Sequence, residues 1–159
     1  MPYVYGGPLA DVIVATKFRR KEELAHGLGR LLADAPLVHA AAAAAAVIVP
    51  IPLGRARRRE RGFNQSAILA RELGRATRTP VGHLLVRVRN TRPQSDLAES
   101  ERAANVEAAF RARRAVPERC LLVDDVVTST ETVRAAALAL SLAGATEITV
   151  VALARTPLG

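Results

Sequence analysis

Apolar residues recur at helical spacing at Leu9, Val12 and Ile13 up to Lys17, and a second stripe, Leu24, Leu28, Leu31 and Leu32, ends before Pro36. The alanine run at 40–46 reads as a spacer helix, because alanine is the best helix former. The period then changes. Val47-Ile48-Val49-Pro50-Ile51-Pro52 is a β-branched run closed by prolines, the pattern of a buried strand. A basic loop is expected over 53–62, and Asn64 stands where it would cap a helix carrying Ile68, Leu69 and Leu73. A weaker apolar stretch at 81–88 predicts one more strand after a turn at Pro80. Residues 89–101 are polar, aperiodic and long enough to predict a mobile loop.

The last third is the clearest. Cys120-Leu121-Leu122-Val123 predicts a strand, with Asp124 and Asp125 where it ends. A hydroxyl-rich turn, Thr128-Ser129-Thr130-Glu131-Thr132, leads into a helix carrying Val133, Ala136, Ala137 and Leu140, and Gly144 suits the residue beyond its end. A second buried strand covers 148–153. Strand, helix and strand in so short a span make a βαβ unit, so the expected fold is α/β with a central, mainly parallel sheet and flanking helices.

Composition narrows the setting. The 159 residues suit a single domain over 1–159, with no repeat and no Ser/Gly linker. Half are apolar, which excludes disorder as the overall description. The longest apolar run, 40–51, is too short to span a bilayer, and no basic leader with a cleavage site opens the chain, so a cytoplasmic protein away from membranes is expected. The one cysteine, Cys120, excludes an internal disulfide framework and a cysteine-cluster zinc site. The histidines at 26, 39 and 83 lack metal-ligand spacing. A net charge of +8 and a pI near 11.1 point to an anionic partner. Aromatic residues are only 3% and tryptophan is absent, so the stacking platform usual in nucleic-acid binding is missing.

Ligands of open parallel sheets bind beyond the carboxyl ends of the strands. Two adjacent carboxylates there can accept hydrogen bonds from vicinal hydroxyls, and a helix start rich in Thr and Ser favours a phosphate. Sugar hydroxyls beside a phosphate spell a ribose 5-phosphate. The same residues also read as an ordinary acidic strand end before a Thr-rich cap. No Gly-Lys-Ser/Thr follows, so this is not a P-loop. Arg55, Arg57, Arg58, Arg59 and Arg61 suit a pyrophosphate clamp, a nucleic-acid backbone contact or a solvated loop.

Val123-Asp124-Asp125-Val126-Val127-Thr128-Ser129 resembles the phosphoribosyl-diphosphate (PRPP) signature of type I phosphoribosyltransferases. With Val49-Pro50-Ile51-Pro52-Leu53, Arg61-Gly62-Phe63-Asn64-Gln65, Asn105-Val106 and Leu153-Ala154-Arg155, the chain resembles the competence protein F (ComF) family over nearly its whole length. The resemblance implies PRPP, arriving with Mg²⁺, as ligand, and displacement of pyrophosphate from the anomeric carbon. Asp124 and Asp125 would then hold the ribose hydroxyls, and Val127, Thr128, Ser129, Thr130, Glu131 and Thr132 the 5-phosphate. Pro52, Leu53 and Arg61 would face the pyrophosphate, with Lys17 and Arg61 as catalytic cations. Gln94, Arg102 and Asn105 would belong to a flexible loop closing over the site. No residue binds the metal directly in this scheme. The family name also implies single-stranded DNA or a competence helicase as partner, for which a non-catalytic, PRPP-sensing or partner-binding module is the alternative.

Two departures stand out. No cysteine precedes Cys120, so the four-cysteine zinc finger that often opens members of this family is not expected here. Thr130 stands where related phosphate loops carry glycine, and Glu131 adds a negative charge beside it. Weaker PRPP binding than in the family is the expectation.

Overall fold

A computed structural model of the chain describes residues 3–4, 6–18, 22–88, 109–128 and 130–155. In chain order the elements are β1 (Tyr3–Val4), α1 (Gly7–Phe18), α2 (Glu22–Ala33), α3 (Pro36–Ala44), β2 (Val47–Pro50), α4 (Arg55–Arg61), α5 (Gln65–Thr77), β3 (Leu85–Arg87), β4 (Phe110–Ala112), β5 (Arg119–Val127), α6 (Thr130–Ser141) and β6 (Glu147–Arg155). The main sheet has the order β1-β6-β5-β2, and every pairing in it is parallel. Val47 pairs with Cys120 and Pro50 with Val123, and Cys120 pairs with Ile148 on the other side. The expected α/β architecture with a parallel sheet is what the chain forms.

Strand alternation divides the interior in two. Ile48, Leu121, Val123 and Leu153 face one helical layer, where Leu28 and Leu32 of α2, Val38 of α3 and Leu69 and Leu73 of α5 close over them. Val49, Cys120 and Leu122 face the opposite side, against Ala135, Ala136 and Leu140 of α6 and against Leu85 and Phe110 of the small antiparallel β3–β4 sheet. Both faces are therefore covered, which is why the strands read as continuous apolar runs. Helix α5, which follows β2 beyond α4, packs on one face, and α6, which follows β5, packs on the other. The sheet's switch point thus falls between these neighbouring strands, the crevice where α/β folds bind ligands.

Four local expectations change. Residues 55–61 form a helix, not a loop: Arg, Ala and Glu are all good helix formers, and Gly62 at φ 82° ends the run by donating its N–H to Arg58. The strand expected over 81–88 divides, Val81 making one parallel bridge to Ile48 and Leu85–Arg87 pairing antiparallel with Phe110–Ala112. β5 does not stop at Val123 but continues through both aspartates to Val127, because β6 runs alongside as far as Arg155. The hydroxyl-rich segment is correspondingly shorter as a turn, with Thr130, Glu131 and Thr132 forming the first turn of α6. The expected 89–101 loop with Gln94, and the flexible-loop residues Arg102 and Asn105 beyond it, lie outside the described residues.

Candidate functional site

The regular alternation of β5 breaks at the acidic pair, since Val123 and Val126 both face the α2–α5 layer. Asp124 and Asp125, half-buried between them, stand at the carboxyl end of the sheet. Ser66, in the first turn of α5, donates its hydroxyl to Asp124 Oδ1 at 3.0 Å, and the Asp125 N–H donates to the same oxygen at 2.9 Å. The Val126 N–H donates to Asp125 Oδ1 at 2.8 Å. Burial, and then the negative charge of Asp125, push the Asp124 carboxyl up to about 7, against the opposing hydrogen bonds from the Asp125 N–H and Ser66. Near neutral pH the site therefore holds an acid that exchanges its proton easily.

Three further elements are coupled to the acidic pair, directly or through a neighbour, by charge or by a hydrogen bond. Arg87 of β3 feels the charges of both Asp124 and Arg57 of α4, and its guanidinium lies 5.2 Å from the Phe110 ring centroid. Burial, and then Arg57, hold that guanidinium below its ordinary value while Asp124 pulls it the other way. The exit of β2 is tied in through Asn64. This residue occupies the cap position of α5, but its side chain makes no capping bond and instead donates Nδ2 to the Ile51 carbonyl at 3.0 Å. The cap role expected for Asn64 gives way to a brace between the β2 exit and α5.

Of the residues singled out in the sequence, Asp124 and Asp125 are central to this arrangement. Val127 ends β5 buried, Thr128 is exposed just beyond it, and Ser129 lies outside the described residues. Thr130 and Glu131 are exposed and Thr132 is half-buried at the start of α6. A helical first residue needs no glycine, and an acidic residue in a helix's first turn is electrostatically favoured. Pro52 and Leu53 are half-buried between β2 and α4, whose five arginines include a half-buried Arg61 at its end. Lys17 lies on α1, its side chain outside the described residues. Ser66 is not among the residues that the sequence singles out, and Arg87 is legible there only as one of several arginines near the 89–101 segment able to meet a phosphate; no local spacing links either of them to Asp124.

Among the described residues, no group of three or more His, Cys, Asp or Glu side chains could hold a metal ion. Two carboxylates alone suit a hard cation that keeps most of its ligands from water or phosphate, as magnesium does. A groove of about 480 Å³ between Val47, Pro80, Leu84 and Arg114 lies at the opposite, amino end of β2 and shares no residue with the acidic pair. No described helix is long and apolar enough to cross a membrane.

The chain is 36% identical over 158 residues to DNA utilization protein YhgH of Escherichia coli (strain K12), a match covering 96% of this chain and 69% of that protein. It is 33% identical over 160 residues to Competence protein F of Haemophilus influenzae, covering 95% and 69% respectively. No protein-family model matches it. Its fold resembles the structure of the allosteric regulatory enzyme of purine biosynthesis, at TM-score 0.56 and 25% identity over 81% of this chain and 25% of that one. It is equally similar to glutamine phosphoribosylpyrophosphate (PRPP) amidotransferase from B. subtilis complexed with ADP and GMP, at TM-score 0.56 and 26% identity over 81% of this chain and 26% of that one. The chain spans about a quarter of the length of both of these solved chains.

Proposed function

This chain belongs to the competence protein F family and has the type I phosphoribosyltransferase fold, and on that premise we propose that it binds PRPP at the carboxyl ends of β5 and β2 and transfers the phosphoribosyl group with release of pyrophosphate. The observation that carries this reading is the acidic pair at the switch point, braced by Ser66 and followed directly by a helix start. Asp124 and Asp125 hydrogen-bond the ribose hydroxyls. Thr128, Ser129 and the first turn of α6, whose amides lack intrahelical acceptors as in any helix start, take the 5-phosphate. Pro52 and Leu53 line the pyrophosphate side, where Arg61 and Lys17 supply positive charge. Magnesium brought by the diphosphate supplies neutralisation of the leaving group's charge. Pyrophosphate departs with the electron pair of its bond to the anomeric carbon, and the acceptor's own nucleophilic atom bonds to that cation-like centre, so no protein side chain need act as nucleophile; the protein contributes charge placement and exclusion of water. Gln94, Arg102 and Asn105 belong to the segment we assign to closing the site. A cytoplasmic setting suits the free, buried Cys120.

One observation favours a second reading. Helix α4 carries five arginines in seven residues and buries none of them, a surface suited to single-stranded DNA or an acidic face of a helicase partner. A thermal-shift titration separates the two. PRPP with Mg²⁺ at about 100 times its Kd should add roughly 2.7 kcal/mol, which raises Tm by about 5–10 °C for a chain of this size. The Asp124→Asn/Asp125→Asn variant should fold and lose that shift. No shift at millimolar PRPP, with DNA affinity falling steeply between low and moderate salt, would replace the first reading by the second.

A further inference from the structure

Five polar or charged side chains among the described residues are fully buried, and four of them are paired. Thr16 donates to the Ile13 carbonyl, Thr79 to the Ala42 carbonyl and Ser66 to Asp124, while Glu72 binds His26 and Arg75. The fifth is Gln65. It is 3% exposed, and neither its Nε2 nor its Oε1 has a hydrogen-bond partner. The one other buried side-chain atom in this condition among the described residues is Oδ1 of its neighbour Asn64. An interior that satisfies its other polar groups and leaves three such atoms together is carrying a local cost, since a buried amide without partners destabilises the fold where an apolar side chain of equal size would not.

The position gives that cost a use. Asn64 ties the residue before Gln65 to the exit of β2, and Ser66 ties the residue after it to the carboxyl end of β5. Gln65 is thereby fixed, at the first residue of α5, at the joint between the exit of β2 and the carboxyl end of β5, the strand that carries the acidic pair. We infer that Gln65 is a ligand-contact residue of this site, its amide completed by the bound sugar and not by the protein. The inference rests on the PRPP reading above and adds to it a residue and a portion of the ligand. Nε2 only donates and Oε1 only accepts, so the ligand must offer an acceptor and a donor together. An ionised phosphate or pyrophosphate offers acceptors alone, whereas a ribose hydroxyl offers both. The contact is therefore assigned to the ribose hydroxyls beside Asp124, and not to the diphosphate.

Calorimetric titrations of wild type, Gln65→Met and Gln65→Asn with PRPP, ribose 5-phosphate and inorganic pyrophosphate, each with Mg²⁺, test this, together with Tm in the absence of ligand. Methionine keeps the volume and removes the polarity, and asparagine keeps the polarity and shortens the reach. Both variants should lose about tenfold or more in affinity for PRPP and ribose 5-phosphate and keep wild-type affinity for pyrophosphate. Ligand-free Gln65→Met should melt at or above the wild-type temperature. Unchanged PRPP affinity in the variants, or a lower ligand-free Tm for Gln65→Met with unchanged affinities, overturns the inference alone and marks the amide as a structural group satisfied by water. An equal loss for pyrophosphate overturns the assignment to the ribose. A wild-type protein that binds none of the three ligands removes the PRPP reading and this inference with it.

Discussion

Replacing Asp124 with asparagine should stabilise the ligand-free protein while removing its affinity for a sugar phosphate. Burial, reinforced by Asp125, lifts this carboxyl from 3.8 to about 7. A gap of about three units between the unfolded and folded chain corresponds to about 4 kcal/mol at roughly 1.4 kcal/mol per unit. The folded protein keeps a proton that the unfolded chain releases near pH 4. The penalty is therefore absent below that pH, grows as pH rises towards about 7, and is constant above it. Asparagine removes the charge but accepts less strongly from Ser66 and the Asp125 N–H, which returns about 1–2 kcal/mol. The net gain at pH 8 is then about 2–3 kcal/mol, or about 4–12 °C in Tm for a chain of this length. Paired Tm measurements on wild type and variant at pH 4.5, 6 and 8, at constant ionic strength, read this directly. The difference should widen with pH. A variant destabilised equally at every pH would refute the reasoning, because it would mean that the Asp124 carboxylate is comfortable where it lies.

Two further outcomes follow from the interior. Glu72 on α5 is buried, which raises its carboxyl, but His26 at 2.7 Å and the charges of Arg75 and Arg30 outweigh burial and hold it below its ordinary value. Its contribution is present at neutral pH and is lost on acidification below the usual carboxylate range, so Glu72→Gln should cost about 1–3 kcal/mol in urea titrations at pH 7 and much less near pH 3. Gly74→Ala should cost about 1–3 kcal/mol, because the added methyl would fall 2.6 Å from Val81 Cγ2 and 2.8 Å from the Thr79 carbonyl oxygen, and backbone cannot yield as a side-chain tip can. A Gly74→Ala protein as stable as wild type would show that α5 shifts freely on the edge of the sheet.

Periodicity carried much of the fold. The runs at Val47 and Cys120 are apolar at every position because both of their faces are covered, and Leu28 and Leu32 of α2 and the Ile68-Leu69-Leu73 set of α5 lie on the buried sides that their spacing predicts, whereas Leu31 of the same α2 stripe is exposed. Asp124 and Asp125 were legible for the same reason, as charges that interrupt an apolar strand. Residues 55–61 were misread because their charge suggested a loop, while the individual preferences of Arg, Ala and Glu favour a helix.

What remained hidden depends on contacts between elements far apart in the chain. Ser66 meets Asp124 across 58 residues, and Arg87 senses Asp124 from a two-stranded sheet whose second strand begins only at Phe110. Gln65 belongs to a motif that carries the family resemblance, but only the tertiary structure buries its amide without a hydrogen-bond partner. By itself the amino-acid order determined the elements, the two-faced burial of the strands and the type of chemistry at the end of β5, because these depend on neighbours three, four or two positions away. The charge state of Asp124, the arginine that feels its charge and the unsatisfied amide at the joint were decided only by tertiary structure, because desolvation and electrostatic coupling depend on distance in space.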